Sequence, residues 1–161
     1  MAVGMVRLSQ AEQAFVEVQR IGHLATVSRA GEPTVVPVCY AYDAASGRFY
    51  TPIDEKPKGS WEQLARVRNI RHTGQAALVI DRYDEDWSQL AWVLVRGPAE
   101  LVMPGSASHQ QAITLLRARY PQYATMQLEA LPVIALTPRH VRSWGQLTPP
   151  SEEHGRAYIR P

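Results

Sequence analysis

FYTPIDEKPKGSWEQLARVRNIRH, residues 49–72, is the stretch in which the hydrophobic period changes from that of a strand to that of a helix. Phe49, Tyr50 and Thr51 are β-formers. From Trp61 onward the apolar residues Trp61, Leu64, Val67 and Ile70 recur at every third position, as one helical stripe does. Ser60 and Gln63 have the spacing of a capping box, which predicts a helix start near Ser60. Arg68, Arg71 and His72 fall on another part of that helix surface. Lys56 and Lys58 lie in the loop just before the start. A helix start offers unpaired backbone N–H groups and the positive end of the helix dipole, so two lysines beside it make a candidate phosphate site. The same lysines also read as solvated loop charges.

On the N-terminal side, Ser9 and Glu12 form a second capping-box pattern ahead of a helix carrying Ala11, Phe15 and Val18, with Gly22 as its expected stop. Residues 23–28, 34–42 and 49–51 read as three strands, joined by turns around Gly31 and across residues 43–47, and predict an antiparallel meander. Pro37 falls inside the second of these and cannot donate to a ladder. That strand is therefore an edge, is bulged, or turns its backbone toward a flat ligand, with a simple edge the plainest reading. On the C-terminal side, residues 75–83 and 90–103 read as strands, the latter bent at Gly97-Pro98. Residues 105–120 read as a helix ended by Pro121, residues 122–130 as a loop, and residues 131–144 as a last strand. The expected order is helix, three strands, helix, two strands, helix, strand. Without long parallel crossovers it is solved most economically by an antiparallel barrel or sandwich with helices at its ends. Residues 1–144 are expected to form one domain, and residues 145–161 a mobile or partner-draped tail.

At 161 residues the chain is long enough for a real core. Its 45% hydrophobic and 20% charged residues are ordinary for a soluble globular protein, and a net charge of +2 gives no argument for nucleic acid. The single cysteine, Cys39, excludes an internal disulfide and fits a reducing compartment. Without an apolar run of membrane-span length or a signal-peptide core, a cytoplasmic location is expected. His23, His72, His109, His140 and His154 show no metal-ligand spacing, so no metal is expected. Cys39, inside an expected strand, reads as an inert thiol rather than a nucleophile. There is no nucleophile elbow, Walker loop or dinucleotide-binding fingerprint. Of the four tryptophans, Trp92 is expected in the core, whereas Trp87 and Trp144 are candidates for a ligand or a subunit interface.

LATVSRAGEPTVVPVCYAYD, FYTPIDEKPK, RVRNI and VIDRYDEDWSQLAWVLVRGPAELV, taken together, resemble the pyridoxamine-phosphate-oxidase-like split β-barrel flavoproteins. Within these they resemble the branch of probable enzymes dependent on a deazaflavin, coenzyme F420. The resemblance spans about residues 8–144. It implies a mainly β, α+β fold of FMN-binding type: an antiparallel split barrel of about six strands with flanking helices. It also implies a homodimer with two cofactor sites at the subunit interface and a small-molecule substrate. The ring would lie against the second and third strands, at Val35, Val36, Pro37 and Val38, then Tyr50 and Thr51. The cofactor phosphate would sit on the loop of Lys56, Pro57 and Lys58. Arg66 and Arg68 would reach along an acidic tail, and Trp87 and Trp144 would complete the pocket. The implied activity is hydride transfer to or from a small conjugated organic substrate, with no essential nucleophile. FMN in place of F420, or a flavin- or haem-binding module with little turnover, is the alternative. Lys56, Lys58, Arg66, Arg68 and Arg71, against Glu62 alone in residues 56–72, favour the polyanionic F420. The run Gly59-Ser60-Trp61-Glu62 stands where the resemblance implies a more basic stretch.

Overall fold

The computed structural model describes residues 4–53 and 59–148. The chain runs α1 (Gln10–Val18), β1 (Gly22–Val27), β2 (Pro33–Val38), β3 (Ala41–Asp43), β4 (Arg48–Pro52), α2 (Ala65–Thr73), β5 (Gln75–Arg82), β6 (Ala91–Val102), α3 (Ala107–Arg119), β7 (Val133–Leu136) and β8 (His140–Gly145). The strands form one antiparallel sheet in the order β2-β1-β5-β6-β7-β4-β3, with β8 also paired to β6. β6 holds the fold together: residues 91–98 pair with β5 and residues 99–102 with β7. The sheet therefore curls about this long strand into a split barrel.

Inward side chains from both halves meet in one core, where Leu24, Leu78, Ile80, Val93 and Val95 face Tyr40, Phe49, Ile134 and Leu136, with Phe15 and Val16 of α1 packed against them. A second cluster lies outside the barrel, where Ala112, Ile113 and Leu116 of α3 cover Tyr50, Val133 and Ala135. The strands of the β4–β7 half are thus buried on both faces, which is why β7 reads as an uninterrupted apolar run, Val-Ile-Ala-Leu. The β2-β1-β5-β6-β8 half has no such cover among the described elements. Its strands alternate, with Leu24, Leu78, Ile80, Val93 and Val95 buried and His23, Ala25, Val79, Leu94 and Arg96 outward.

Several expectations hold. The Ser9–Glu12 capping box is present, with both reciprocal hydrogen bonds made. β2 is an edge strand, which accommodates Pro37 opposite His23. α3 ends at Arg119, ahead of Pro121.

Others are corrected. Residues 34–42 are two strands. The ladder stops at Val38, and the backbone of Tyr40 is satisfied from the side. Its N–H donates to the Tyr120 hydroxyl at 3.0 Å, and that hydroxyl lies 2.9 Å from the Tyr40 carbonyl. The second expected strand therefore pairs with the third only through its last residues, Ala41 and Tyr42 of β3 against Tyr50 and Phe49 of β4, and β4 then pairs with β7. Residues 131–144 are also two strands, because the Thr137 and Arg139 N–H groups donate to the Pro98 and Arg96 carbonyls where the chain passes β6. These two breaks raise the strand number from about six to eight.

Gly22 does not stop α1. It opens β1, where an added Cβ would come within 2.9 Å of Leu78 Cδ1. Ser60 caps a 3-10 turn, Trp61–Gln63, by accepting from the Glu62 N–H; α2 begins only at Ala65, and the Ser60–Gln63 capping box does not form. Trp92 is not a core residue. Alternation places Val93 and Val95 inward and Trp92 outward, half-buried and in register with Trp144 on β8. The first residues of the expected tail belong to the barrel: Gly145 ends β8, the Gln146 N–H donates to the Leu90 carbonyl, and Leu147 packs on the core. Residues 149–161 lie outside the described residues.

Candidate functional site

Among the described residues, β2 offers an unpaired strand edge. It bonds to β1 on one side and ends the strand order on the other. On its outer face Val35 is 61% exposed and Pro37 is exposed, while Val36 leans on the core and Val38 is buried. Just past its end, the Thr51 hydroxyl donates to the Cys39 carbonyl at 2.7 Å and fastens β4 beside the end of β2. Cys39 itself is half-buried against the α3 cluster.

The structure thus brings the end of β2 and β4 together, although these two are not ladder partners. Tyr50 and Thr51 take part through position rather than exposed side chains. Both are buried, and the Tyr50 hydroxyl is 3.1 Å from Ser108 Oγ beneath α3. Burial under α3 does not show in the residues around Tyr50, since the covering helix lies more than fifty residues away.

From Ile53 the chain enters residues 54–58, so Lys56, Pro57 and Lys58 lie outside the described residues. It re-emerges at Gly59 and makes the 3-10 turn that leads into α2. α2 is fixed in place by three side chains. Val67 and Ile70 are buried, and Asn69, also buried, donates from Nδ2 to Thr26 Oγ1 of β1 at 3.0 Å. A buried amide is tolerated where it finds a partner, and this one sets the rotation of the helix. Arg66 is then half-buried and Arg68 exposed. Arg71 stacks over the Trp61 ring at 5.1 Å and ties the last turn of α2 back to its entry. In the sequence Asn69 stands beside the apolar stripe, between Arg68 and Ile70, and its partner Thr26 is more than forty residues away, so nothing local marks it as buried.

Trp87 and Trp144 are the most exposed tryptophans of the described residues, at 72% and 55%. Trp87 begins a 3-10 turn capped by Asp86, whose carboxylate accepts from the Ser88 N–H. The Arg82 guanidinium donates to the carbonyls of Gln89 and Gln146, binding that turn to the chain just past β8. Both tryptophans therefore stand at one end of the open sheet face. Within one protomer they are remote from Val35: Trp144 is on β8, four strands from β2, roughly 19 Å at the usual spacing.

No group of histidine, cysteine or acidic side chains among the described residues could hold a metal ion. No helix among them is long and apolar enough to cross a membrane.

The architecture is that of a split barrel with, among the described residues, an open sheet face, an unpaired edge at β2 and the start of α2 beside that edge. The chain belongs to the pyridoxamine 5'-phosphate oxidase family, whose model matches residues 8–145. No functionally curated protein matches it. Among solved structures it is similar to a conserved hypothetical protein from Mycobacterium tuberculosis, with a TM-score of 0.68 and 23% identity over 88% of this chain and 86% of that one. It is also similar to the heme storage protein HutZ from Vibrio cholerae, with a TM-score of 0.65 and 16% identity over 87% and 95% of the two chains. A structure described as an F420 reductase matches with a TM-score of 0.61 and 22% identity over 84% and 98%. At these identities the structural likeness establishes the fold.

Proposed function

We propose that the protein is a cytoplasmic oxidoreductase that holds coenzyme F420 and passes hydride between it and a small conjugated organic substrate, working as a homodimer. The observation that carries this reading is the unpaired edge of β2 beside the fastened end of β4. A deazaflavin or flavin ring system combines a flat apolar body with a rim of amide-like N–H and C=O groups. An unpaired strand edge with outward Val35 and Pro37 answers both, backbone to the polar rim and side chains to the flat face. The chain from Ile53 to Ser60 then leads to the start of the 3-10 turn and α2, where Lys56 and Lys58 would meet the cofactor phosphate. Arg66 and Arg68, early in α2, would follow the acidic tail. The excess of basic residues in 56–72 supports F420 over FMN, which carries no acidic tail beyond its phosphate.

Bound, the cofactor supplies a ring carbon or nitrogen that accepts or releases hydride. The chain's own part is to bind the ring, hold it against β2 and exclude water. The four-strand separation between β2 and Trp144 argues for the homodimer. Trp87 and Trp144 reach a ring at β2 if they come from a second copy packed on the open sheet face. That face carries Ala25, Ala77, Val79 and Leu94, small or apolar residues suited to close approach.

The similarity to a heme storage protein favours one other reading, a flavin- or haem-binding module with little turnover. Turnover separates the two. Reduced F420, and reduced FMN in parallel, should be reoxidised by a quinone acceptor in the presence of the protein and not without it. Binding with no enhancement of that rate for either cofactor would overturn the enzyme reading.

A further inference from the structure

A charged pair borders the proposed ring site. His23 of β1 is in register with Pro37 on β2 and with Val79 on β5, and its side chain is outward like theirs. Asp81 stands two residues along β5 from Val79, on the same face. His23 Nδ1 lies 3.4 Å from Asp81 Oδ1, and both side chains are half exposed.

By itself this is a surface ion pair between neighbouring strands, of little worth to stability. Its place gives it more to do. Of the outward side chains on β1 and β2 (His23, Ala25, Val27, Pro33, Val35 and Pro37), His23 alone titrates. Directly opposed residues on paired strands stand about 4.5–5.5 Å apart at Cβ, so a flat ring resting on Val35 and Pro37 has the His23 imidazole at its border. The hydroxyls beside that ring are already committed. Thr51 donates to the Cys39 carbonyl, and the Tyr50 hydroxyl is held against Ser108 Oγ beneath α3. Asp81 faces His23 at Nδ1, and Nε2 has no partner among the described residues. An imidazole fixed through one nitrogen can give up and regain a proton at the other.

Resting on the cofactor reading above, we infer that His23 is the proton donor of the reaction and Asp81 the residue that positions it. Hydride transfer to a quinone or a conjugated carbonyl moves two electrons and one hydrogen to the acceptor and leaves it a hydroquinone or enolate anion. One more proton completes the reduction. The imidazolium of His23 supplies it from Nε2: that N–H bond breaks as an O–H bond forms on the acceptor, and the imidazole takes a proton back from solvent. In the reverse direction His23 takes the hydroxyl proton as hydride leaves. The charged group facing His23 is Asp81 of β5. β2 presents Val35 and Pro37 beside it, and α2 packs on the buried side of β1 through Asn69 and Thr26.

The test uses the full chain with reduced F420 and menadione as acceptor, and reads cofactor affinity and histidine NMR signals beside turnover. Wild-type turnover should fall as pH rises between about pH 5 and 8, where histidine gives up its charge. His23→Gln should lower turnover at least ~100-fold at the acid end, as loss of a general acid does, and flatten the pH profile. Its Kd for F420 should stay within about threefold of wild type, since the lost interaction belongs to the chemical step. Asp81→Asn should fall between the two, and Asp81→Glu nearer wild type. Independently of turnover, the His23 Cε1–H resonance, identified by its loss in His23→Gln, should shift when oxidised F420 binds. A His23→Gln protein that turns over as fast as wild type, with the same pH profile, overturns the assignment and leaves the cofactor reading standing. So does a His23 resonance unmoved by bound F420, or a loss of affinity that matches the loss of turnover. A wild type that binds no F420, or binds it and reduces no menadione, overturns the cofactor reading and this assignment with it.

Discussion

Tyr40 shows how one side chain can close a fold. It is fully buried, and its hydroxyl reaches the carbonyls of Val16 at 2.5 Å and Gln19 at 3.0 Å, where α1 ends. Replacing it with phenylalanine keeps the ring and removes one of two donors to those carbonyls, both of which Arg119 also reaches, so Tyr40→Phe should lower unfolding free energy by about 1 kcal/mol in chemical denaturation. Burial pushes the Tyr40 phenol well above its ordinary value, although Arg119 works against the shift. The neutral phenol is thus favoured in the folded state. The unfolded chain loses this proton near pH ~10 and the folded chain does not, so this contribution is complete below that pH and lost as pH rises above it. Wild type should lose stability between about pH 9 and 11 more steeply than Tyr40→Phe; parallel alkaline limbs would assign the loss to other groups. At the cofactor loop the expectation is opposite in kind. In the proposed phosphate site, Lys58→Ala should weaken cofactor binding by at least ~10-fold while leaving the melting temperature within a degree or two.

At the scale of elements, two glycines decide where strands can cross. Gly97→Ala drives a methyl into the Thr137 carbonyl and should cost about 1–3 kcal/mol by overpacking. Gly145 has φ 88° and a Cβ position 1.9 Å from the Leu90 carbonyl oxygen, so Gly145→Ala should detach the end of β8. Hydrogen exchange should then quicken in β8 and in residues 87–91 before the rest of the sheet; uniform protection would contradict this role. These elements also mark the limit of what the sequence discloses. Alternation and turn residues reveal β1, β5, β6, α1 and α3 because their causes are local. Residues 34–42 and 131–144 read as single strands because their breaks are caused elsewhere, by the Tyr120 hydroxyl and by the passage over Gly97. Trp92 was misplaced for a related reason: in AWVLV the alternation is visible, but which parity faces the core is set by the partner strands. For the candidate site, the edge character of β2 was legible from Pro37, whereas the burial of Tyr50 beneath α3 was not.

For the whole molecule, the open face of β2-β1-β5-β6-β8 and the separation of Trp144 from β2 make the second copy part of the proposed site. Val79 is outward on β5, near the middle of that face. Val79→Arg should give a folded monomer in analytical ultracentrifugation and, by removing the aromatic residues of the second copy, weaken cofactor binding although β2 and the lysine loop are intact. A dimeric Val79→Arg protein with unchanged affinity would place the subunit contact on another surface. The most direct test of the central claim is a fluorescence titration of cofactor-stripped wild-type protein with F420 and, separately, with FMN. The account predicts saturable binding of both with clear preference for F420, through the basic residues that follow its acidic tail. Binding of neither would contradict the assigned cofactor site, and preference for FMN would contradict the deazaflavin assignment.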